Sequence, residues 1–176
     1  MIANIDAAKE FLAKTPFFGG LADHQLEALC ERLGELRFAK GEAVFREGEN
    51  GSAMFVVASG DLVACQRGEH GHVVRLKRFG VGDFFGETTL IEMQPRPFTV
   101  LVERSAELFQ LTNMDLYKLY KDDVKAYVLV LQNINRELCR RLRRADKRIT
   151  QMADEDGDET TQIRKTGALR VLPTEE

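Results

Sequence analysis

The sequence predicts an α+β domain: an antiparallel β-roll of jelly-roll type, flanked by helices at its amino end and by a long helix at its carboxyl end. Three observations carry this reading. Apolar residues recur at three- and four-residue spacings as far as about residue 35. Between residues 36 and 112 the period falls to two, with glycines separating short runs. From residue 113 helical spacing returns and persists to about residue 150.

In the amino-terminal segment, residues 4–35, Phe11 and Leu12 mark one helix. Leu21, Leu26, Leu29, Cys30 and Leu33 mark a second, and Pro16 with Gly19-Gly20 separates the two. Asp23 is the expected N-cap of the second helix, its carboxylate accepting from an amide two or three residues on. The β segment, residues 36–112, divides into runs at 36–38, 42–46, 53–59, 62–67, 73–79, 99–103 and 107–111, punctuated by Gly41, Gly48, Gly51, Gly60, Gly68 and Gly71. Many short strands at near-regular spacing read as a roll or barrel.

The carboxyl-terminal helices, residues 113–150, are a short one at 114–120 and a long one from about 122 to 149. The long helix carries a heptad seam: Val128, Asn135, Leu142 and Ile149 at a, with Leu131, Leu138 and Ala145 at d. Arg141 falls at g and Asp146 at the following e′, a spacing for an interchain ion pair. A parallel homodimer through residues 124–149 is therefore expected. Domain 1–150 is followed by residues 151–176, expected to be a mobile tail because the acidic run 153–159 offers little to bury. Ile163, Leu169, Val171 and Leu172 are the tail residues able to dock on a partner.

With 176 residues, 44% of them hydrophobic, the chain suits one packed domain. Its 25 Lys and Arg nearly balance 28 Asp and Glu, so no whole-molecule attraction to nucleic acid or anionic lipid arises. Arg136, Arg140, Arg141, Arg143, Arg144, Lys147 and Arg148 read as a solvated helix face favourable to the helix dipole. Cys30, Cys65 and Cys139 are odd in number and lack zinc-ligand spacing, and Cys139 reads as a small packing residue beside the seam. His24, His70 and His72 read as solvated. No signal segment or membrane-length apolar run is present, so a cytoplasmic location without membrane attachment is expected. No catalytic or metal-binding constellation stands out, and no enzyme activity or cofactor is expected.

The chemistry concentrates in residues 82–102, GDFFGETTLIEMQPRPFTVLV. A glycine allows a sharp turn, Glu87 follows, residues 88–92 suit one short helical turn, and Arg96 arrives before a β run. Outward-pointing amides beside a guanidinium suit a small anion, a phosphate above all. The segment resembles the phosphate-binding cassette of cyclic-nucleotide-binding domains of the catabolite activator and protein kinase A regulatory type, FGE-x-AL-x-x-x-x-PR-A-A-[ST]-V. Phe85-Gly86-Glu87, Leu90, Pro95-Arg96, Thr99 and Val100 stand in the same register. The likeness spans residues 11–145 and includes the stretch GEAVFREGENGSAMFVVASGDLV.

The resemblance implies that Glu87 accepts from the ribose 2′-hydroxyl and Arg96 pairs with the cyclic phosphate, helped by the amides of Gly86, Thr88 and Thr89. These roles suit an acceptor-only carboxylate and a planar guanidinium fork. Three positions depart from the pattern. Pro97 lacks the N–H that a small residue would offer the phosphate. Thr89 replaces an alanine, and Phe98 replaces another with a ring able to fill the pocket or stack on a base.

The expected function is that of a cytoplasmic sensor that binds a cyclic nucleotide, cAMP first, and signals through its carboxyl-terminal helix to an effector protein not identified by sequence. A ligand-free interaction module that keeps the fold, or a receptor for cGMP or a cyclic dinucleotide, is the alternative. Family transcription factors carry a helix-turn-helix domain after this helix. The polar stretch here is much shorter, so sequence-specific DNA binding is not expected.

Overall fold

In a computed structural model, residues 4–68 and 71–156 are described. Helix α1 (Ile5–Ala13) begins where Asn4 leaves helical geometry and its side chain accepts from the Ala7 amide at 3.0 Å. A 3₁₀ turn (Pro16–Phe18) leads to α2 (Asp23–Cys30). Asp23 is not the cap of α2. Ala22 occupies that place, with Gln25 Oε1 accepting from its amide at 2.9 Å, while the Asp23 carboxylate takes Lys9 Nζ at 2.6 Å. The cation from α1 holds the side chain that the cap would have needed.

Six antiparallel strands follow: β1 (Gly34–Phe38), β2 (Ala43–Phe45), β3 (Ala53–Arg67), β4 (Val73–Phe79), β5 (Phe84–Phe85) and β6 (Thr99–Thr112). The sheet order is β1-β6-β3-β4, with β2 added to β6 and β5 to β3. Each of the two long strands stands where the sequence predicts two short ones. Gly60 does not close a turn: at φ +91° it sits within β3 while the pairing with β6 shifts register between Ser59 and Leu62. An extra residue at such a bulge changes which face each side chain takes. Ala53, Phe55 and Val57 face the core before it and Leu62 and Ala64 after it, odd positions giving way to even. The strand thus keeps apolar side chains inward on both sides of the bulge.

Helix α3 (Glu87–Glu92) separates β5 from β6, and α4 (Asn113–Asp122) and α5 (Val124–Asp156) follow the sheet. Thr112 caps α4, its Oγ1 accepting from the Asp115 amide at 3.1 Å. The chain divides into two compact units, Met1–Ile134 and Asn135–Glu176. In the first unit Ala126, Val130, Asn133 and Ile134 of α5 are buried, and Asn133 Nδ2 donates to Phe17 O and Gly19 O, both at 2.8 Å. Two loop carbonyls are satisfied by one amide that no apolar residue could replace.

In the second unit α5 runs beyond residue 150 to Asp156. Glu137 gathers Arg140 Nε at 2.8 Å and Arg141 Nε at 3.1 Å. Burial pushes its carboxyl up, but these two partners outweigh that and hold it below the usual glutamate range. Cys139 is exposed in the single chain, as are the neighbouring seam residues Leu142 and Ile149; Cys30 and Cys65 are buried. Burial lifts the Cys30 thiol to about 11, which keeps it protonated and unreactive at neutral pH. His24 and His72 are exposed. His70 and the tail residues Ile163, Leu169, Val171 and Leu172 lie outside the described residues.

Candidate functional site

Strand β5 delivers the chain to Gly86, whose φ of +80° turns it into α3. A side chain there would be strained, and its Cβ would also lie 2.6 Å from Arg96 Nη1 and 3.2 Å from Ala53 O. Glycine lets the turn close on the guanidinium. Glu87, the first residue of α3, is 2% exposed, and Thr89 is 2% exposed one position after the half-buried Thr88.

Arg96 comes in from the loop before β6 and is 4% exposed. Its backbone is clamped to the β2–β3 loop: the Arg96 amide donates to Glu49 O at 2.8 Å, and the Gly48 amide donates to Arg96 O at 2.9 Å. The guanidinium donates from Nη1 to Gly86 O at 3.1 Å and to Thr89 Oγ1 at 2.9 Å, and from Nη2 to Ala53 O at 2.6 Å. It lies over the Phe45 ring, 4.1 Å from the centroid. Gly51 packs against it so closely that a Cβ would collide with Nε. Burial lowers the Arg96 pKa, opposed by the negative charges of Glu49 and Glu87.

Gly86, Glu87, Thr89 and Arg96 are therefore gathered at one point. The remaining expected residues are placed otherwise. Pro97 is exposed, and its carbonyl accepts from Gln66 Nε2 at 3.3 Å. Phe98 is half-buried with its ring 6.2 Å from that of Phe45, so it packs on the aromatic core behind Arg96. Thr99 Oγ1 accepts from the Glu47 amide at 3.0 Å and so secures the β2–β3 loop. Residues the sequence did not single out complete the site: Phe45, Glu49, Gly51 and the carbonyl of Ala53. All four lie in the stretch GEAVFREGENGSAMFVVASGDLV that shares the family likeness, but nothing in it marked them as neighbours of Arg96.

A cleft of about 490 Å³ lies alongside, lined by residues including Arg46, Glu47, Gln66, Arg67 and Thr99. That is within the roughly 300–1,000 Å³ of small-ligand pockets. Gln66 and Thr99 connect it to the Pro97 side of the site through the bonds just described. Among the described residues no three His, Cys, Asp or Glu side chains converge, and no helix is long and apolar enough to cross a membrane.

Residues 35–123 match the family described as the cyclic nucleotide-binding domain. The chain belongs to that family. It is 28% identical over 146 residues to the cyclic AMP receptor protein of Thermus thermophilus, an alignment covering 81% of this chain and 64% of that protein. It is 37% identical over 90 residues to the cAMP-dependent protein kinase regulatory subunit of Yarrowia lipolytica, covering 51% of this chain and 23% of the other. A solved cyclic nucleotide-binding domain from Methylobacillus flagellatus superposes with a TM-score of 0.76 at 20% identity, covering 84% of this chain and 83% of that one, a likeness of fold. The chain spans less than two thirds of the length of the Thermus and Yarrowia relatives. Both are named as a receptor or a regulatory subunit, not as catalysts. As a cyclic nucleotide-binding domain, the chain brings the cassette glutamate and arginine together at the turn into α3.

Proposed function

We propose that this domain is a cytoplasmic, non-catalytic sensor that binds a cyclic nucleotide, cAMP first, and passes the event to an effector protein through α5. The observation that carries the reading is the placement of Arg96. Its guanidinium is buried, oriented by three hydrogen bonds to the turn and to β3, and retains Nε–H and one Nη2 hydrogen beyond those bonds. A phosphodiester oxygen is the acceptor chemistry that suits such a charged donor pair. Glu87, buried beside it, is the acceptor assigned to the ribose 2′-hydroxyl, and the amides of Gly86, Thr88 and Thr89 are assigned to the phosphate. Arg96 and Glu87 are nearly fully covered where the α3 turn packs on them.

Movement of that turn has a route onward within the first unit. Leu90 and Met93 of the α3 segment share a groove of about 340 Å³ with Leu116, Tyr117 and Tyr120 of α4 and Tyr127 of α5. A shift of α3 repacks that groove, and α4 and the start of α5 respond. The alternative, an interaction module without ligand, draws on the same burial of Arg96, whose bonds to Gly86 O and Ala53 O already satisfy much of the guanidinium.

The experiment that tests the reading is the melting temperature of the full chain with cAMP, cGMP and cyclic dinucleotides. Saturating cAMP is expected to raise it, because a ligand of the native state stabilises that state. No shift with any of them sinks the sensor reading in favour of the ligand-free module. Pro97→Ala restores the missing backbone donor and is expected to tighten cAMP roughly five- to thirtyfold. Affinity has to be read by titration, because losing proline also lowers stability by several tenths of a kcal/mol. Equal affinities would mean that the phosphate makes no use of an amide at position 97.

We also propose a parallel homodimer along residues 124–149. In the second unit, Leu142 and Ile149 of the seam are 61% and 65% exposed, apolar positions that a second copy would cover. The g-position Arg141 is already held by Glu137 in its own helix, so apolar contacts would carry the association. Light scattering at micromolar concentration should give the mass of two chains, and Leu142→Glu should give that of one. A wild-type mass of one chain contradicts the dimer.

A further inference from the structure

Thr89 stands in the first turn of α3 with its hydroxyl turned to Arg96, Oγ1 accepting from Nη1 at 2.9 Å, and it is 2% exposed. The same Nη1 donates to Gly86 O, and Nη2 donates to Ala53 O. These contacts act on one end of a planar group. Gly86 O and Ala53 O are main-chain atoms whose places are set by the turn and by β3, whereas Thr89 Oγ1 is a side-chain acceptor and therefore specific to the residue at this position. An alanine, which the cassette pattern carries here, has no atom to make the contact.

The rest of the surroundings leave the guanidinium in need of such a hold. Phe45 and Gly51 lie against it and restrain its tilt, but neither offers an acceptor that fixes rotation within its plane. Glu49 and Glu87 act on its charge and favour the cationic form. In-plane orientation is set by the three acceptors alone. A guanidinium held at both Nη1 hydrogens presents Nε–H and the remaining Nη2 hydrogen, which share one edge, in a fixed direction. Two parallel donors aimed in advance bind a phosphodiester more tightly than the same donors free to rotate, because less freedom is lost on binding.

We infer that Thr89 is a positioning residue, whose hydroxyl locks the Arg96 guanidinium so that its Nε–Nη2 edge is directed as a bidentate donor at the phosphodiester of the ligand. The inference deepens the cyclic-nucleotide reading and rests on it. The decisive pair of variants is Thr89→Val, which keeps shape and removes the hydroxyl, and Thr89→Ser, which restores it. In the ligand-free wild-type protein, nitrogen NMR of the arginine side chains should show the Arg96 Nη groups resolved by slow rotation. Thr89→Val should collapse them by fast rotation, and Thr89→Ser should recover them. The affinity for cAMP should fall about tenfold in Thr89→Val and return in Thr89→Ser. In an Arg96→Lys background, where no fork exists to be aimed, the same Thr89→Val change should leave affinity unaltered.

Unchanged Arg96 resonances in Thr89→Val would overturn the inference even if cAMP binds. So would an equal loss of affinity from Thr89→Val in the wild-type and Arg96→Lys backgrounds, which would mark Thr89 as a packing residue of α3. Failure of the wild-type chain to bind any cyclic nucleotide, with the Arg96 resonances behaving as expected, would instead overturn the ligand reading and with it the phosphodiester role, leaving only the lock.

Discussion

Arg96→Ala is expected to lower the stability of the domain by about 3–5 kcal/mol, in the range for removing one member of a buried charged network. The substitution leaves Gly86 O and Ala53 O without the donors they have at 3.1 and 2.6 Å, opens a void over the Phe45 ring, and takes away the positive charge that faces the buried Glu87. Arg96→Lys keeps the charge but offers a single ammonium in place of the planar fork, so it should lie between alanine and wild type. Urea denaturation of the three proteins measures this directly. An alanine variant as stable as wild type would mean that the guanidinium does not occupy the buried position described.

Gly60→Ala is expected to destabilise the fold by about 3–4 kcal/mol, combining a left-handed conformation with a steric collision. A Cβ at this position would lie 2.5 Å from Ser105 O and 2.7 Å from the Ala106 Cα and Cβ, on a strand that is fixed by pairing along its length. Backbone atoms cannot swing away as the end of a side chain can. Gly41→Ala separates the two contributions, because Gly41 has φ +90° but no atom within 4 Å of its Cβ position. It should lose only about 1 kcal/mol. Equal denaturation midpoints for the two variants would show that the close approach at the β3 bulge contributes nothing.

That bulge also shows where the sequence was and was not legible. Two-residue periodicity located the strands only in outline: Phe55, Val57, Leu62 and Ala64 of β3 share one core, but Met54, Val56, Val63 and Cys65 between them are buried as well. It could not tell a glycine that ends a strand from one that bends it, since both need positive φ; the partner strand β6 decides, and it lies some forty residues away. Asp23 failed as a cap for a related reason. Its competitor, Lys9, belongs to another helix.

In the site, Gly86, Glu87, Thr89 and Arg96 were readable because they share one short segment with fixed spacing. Phe45, Gly51 and the Ala53 carbonyl were not, because they reach the guanidinium from the β2–β3 region and one of them acts through its main chain. Phe98 was legible as a departure from the cassette, but its packing on Phe45 depended on where that distant ring lay.

Arg96 is the group proposed to receive the cyclic phosphate. Calorimetric titration of cAMP into the wild-type chain and into Arg96→Lys, side by side, tests this most directly. Saturation at one site per chain is expected in the wild type and an affinity at least about tenfold weaker in the lysine variant, the loss expected when a charged bidentate hydrogen bond becomes a single contact. Absence of binding in a folded wild-type chain, or equal affinity in the two proteins, would contradict that role.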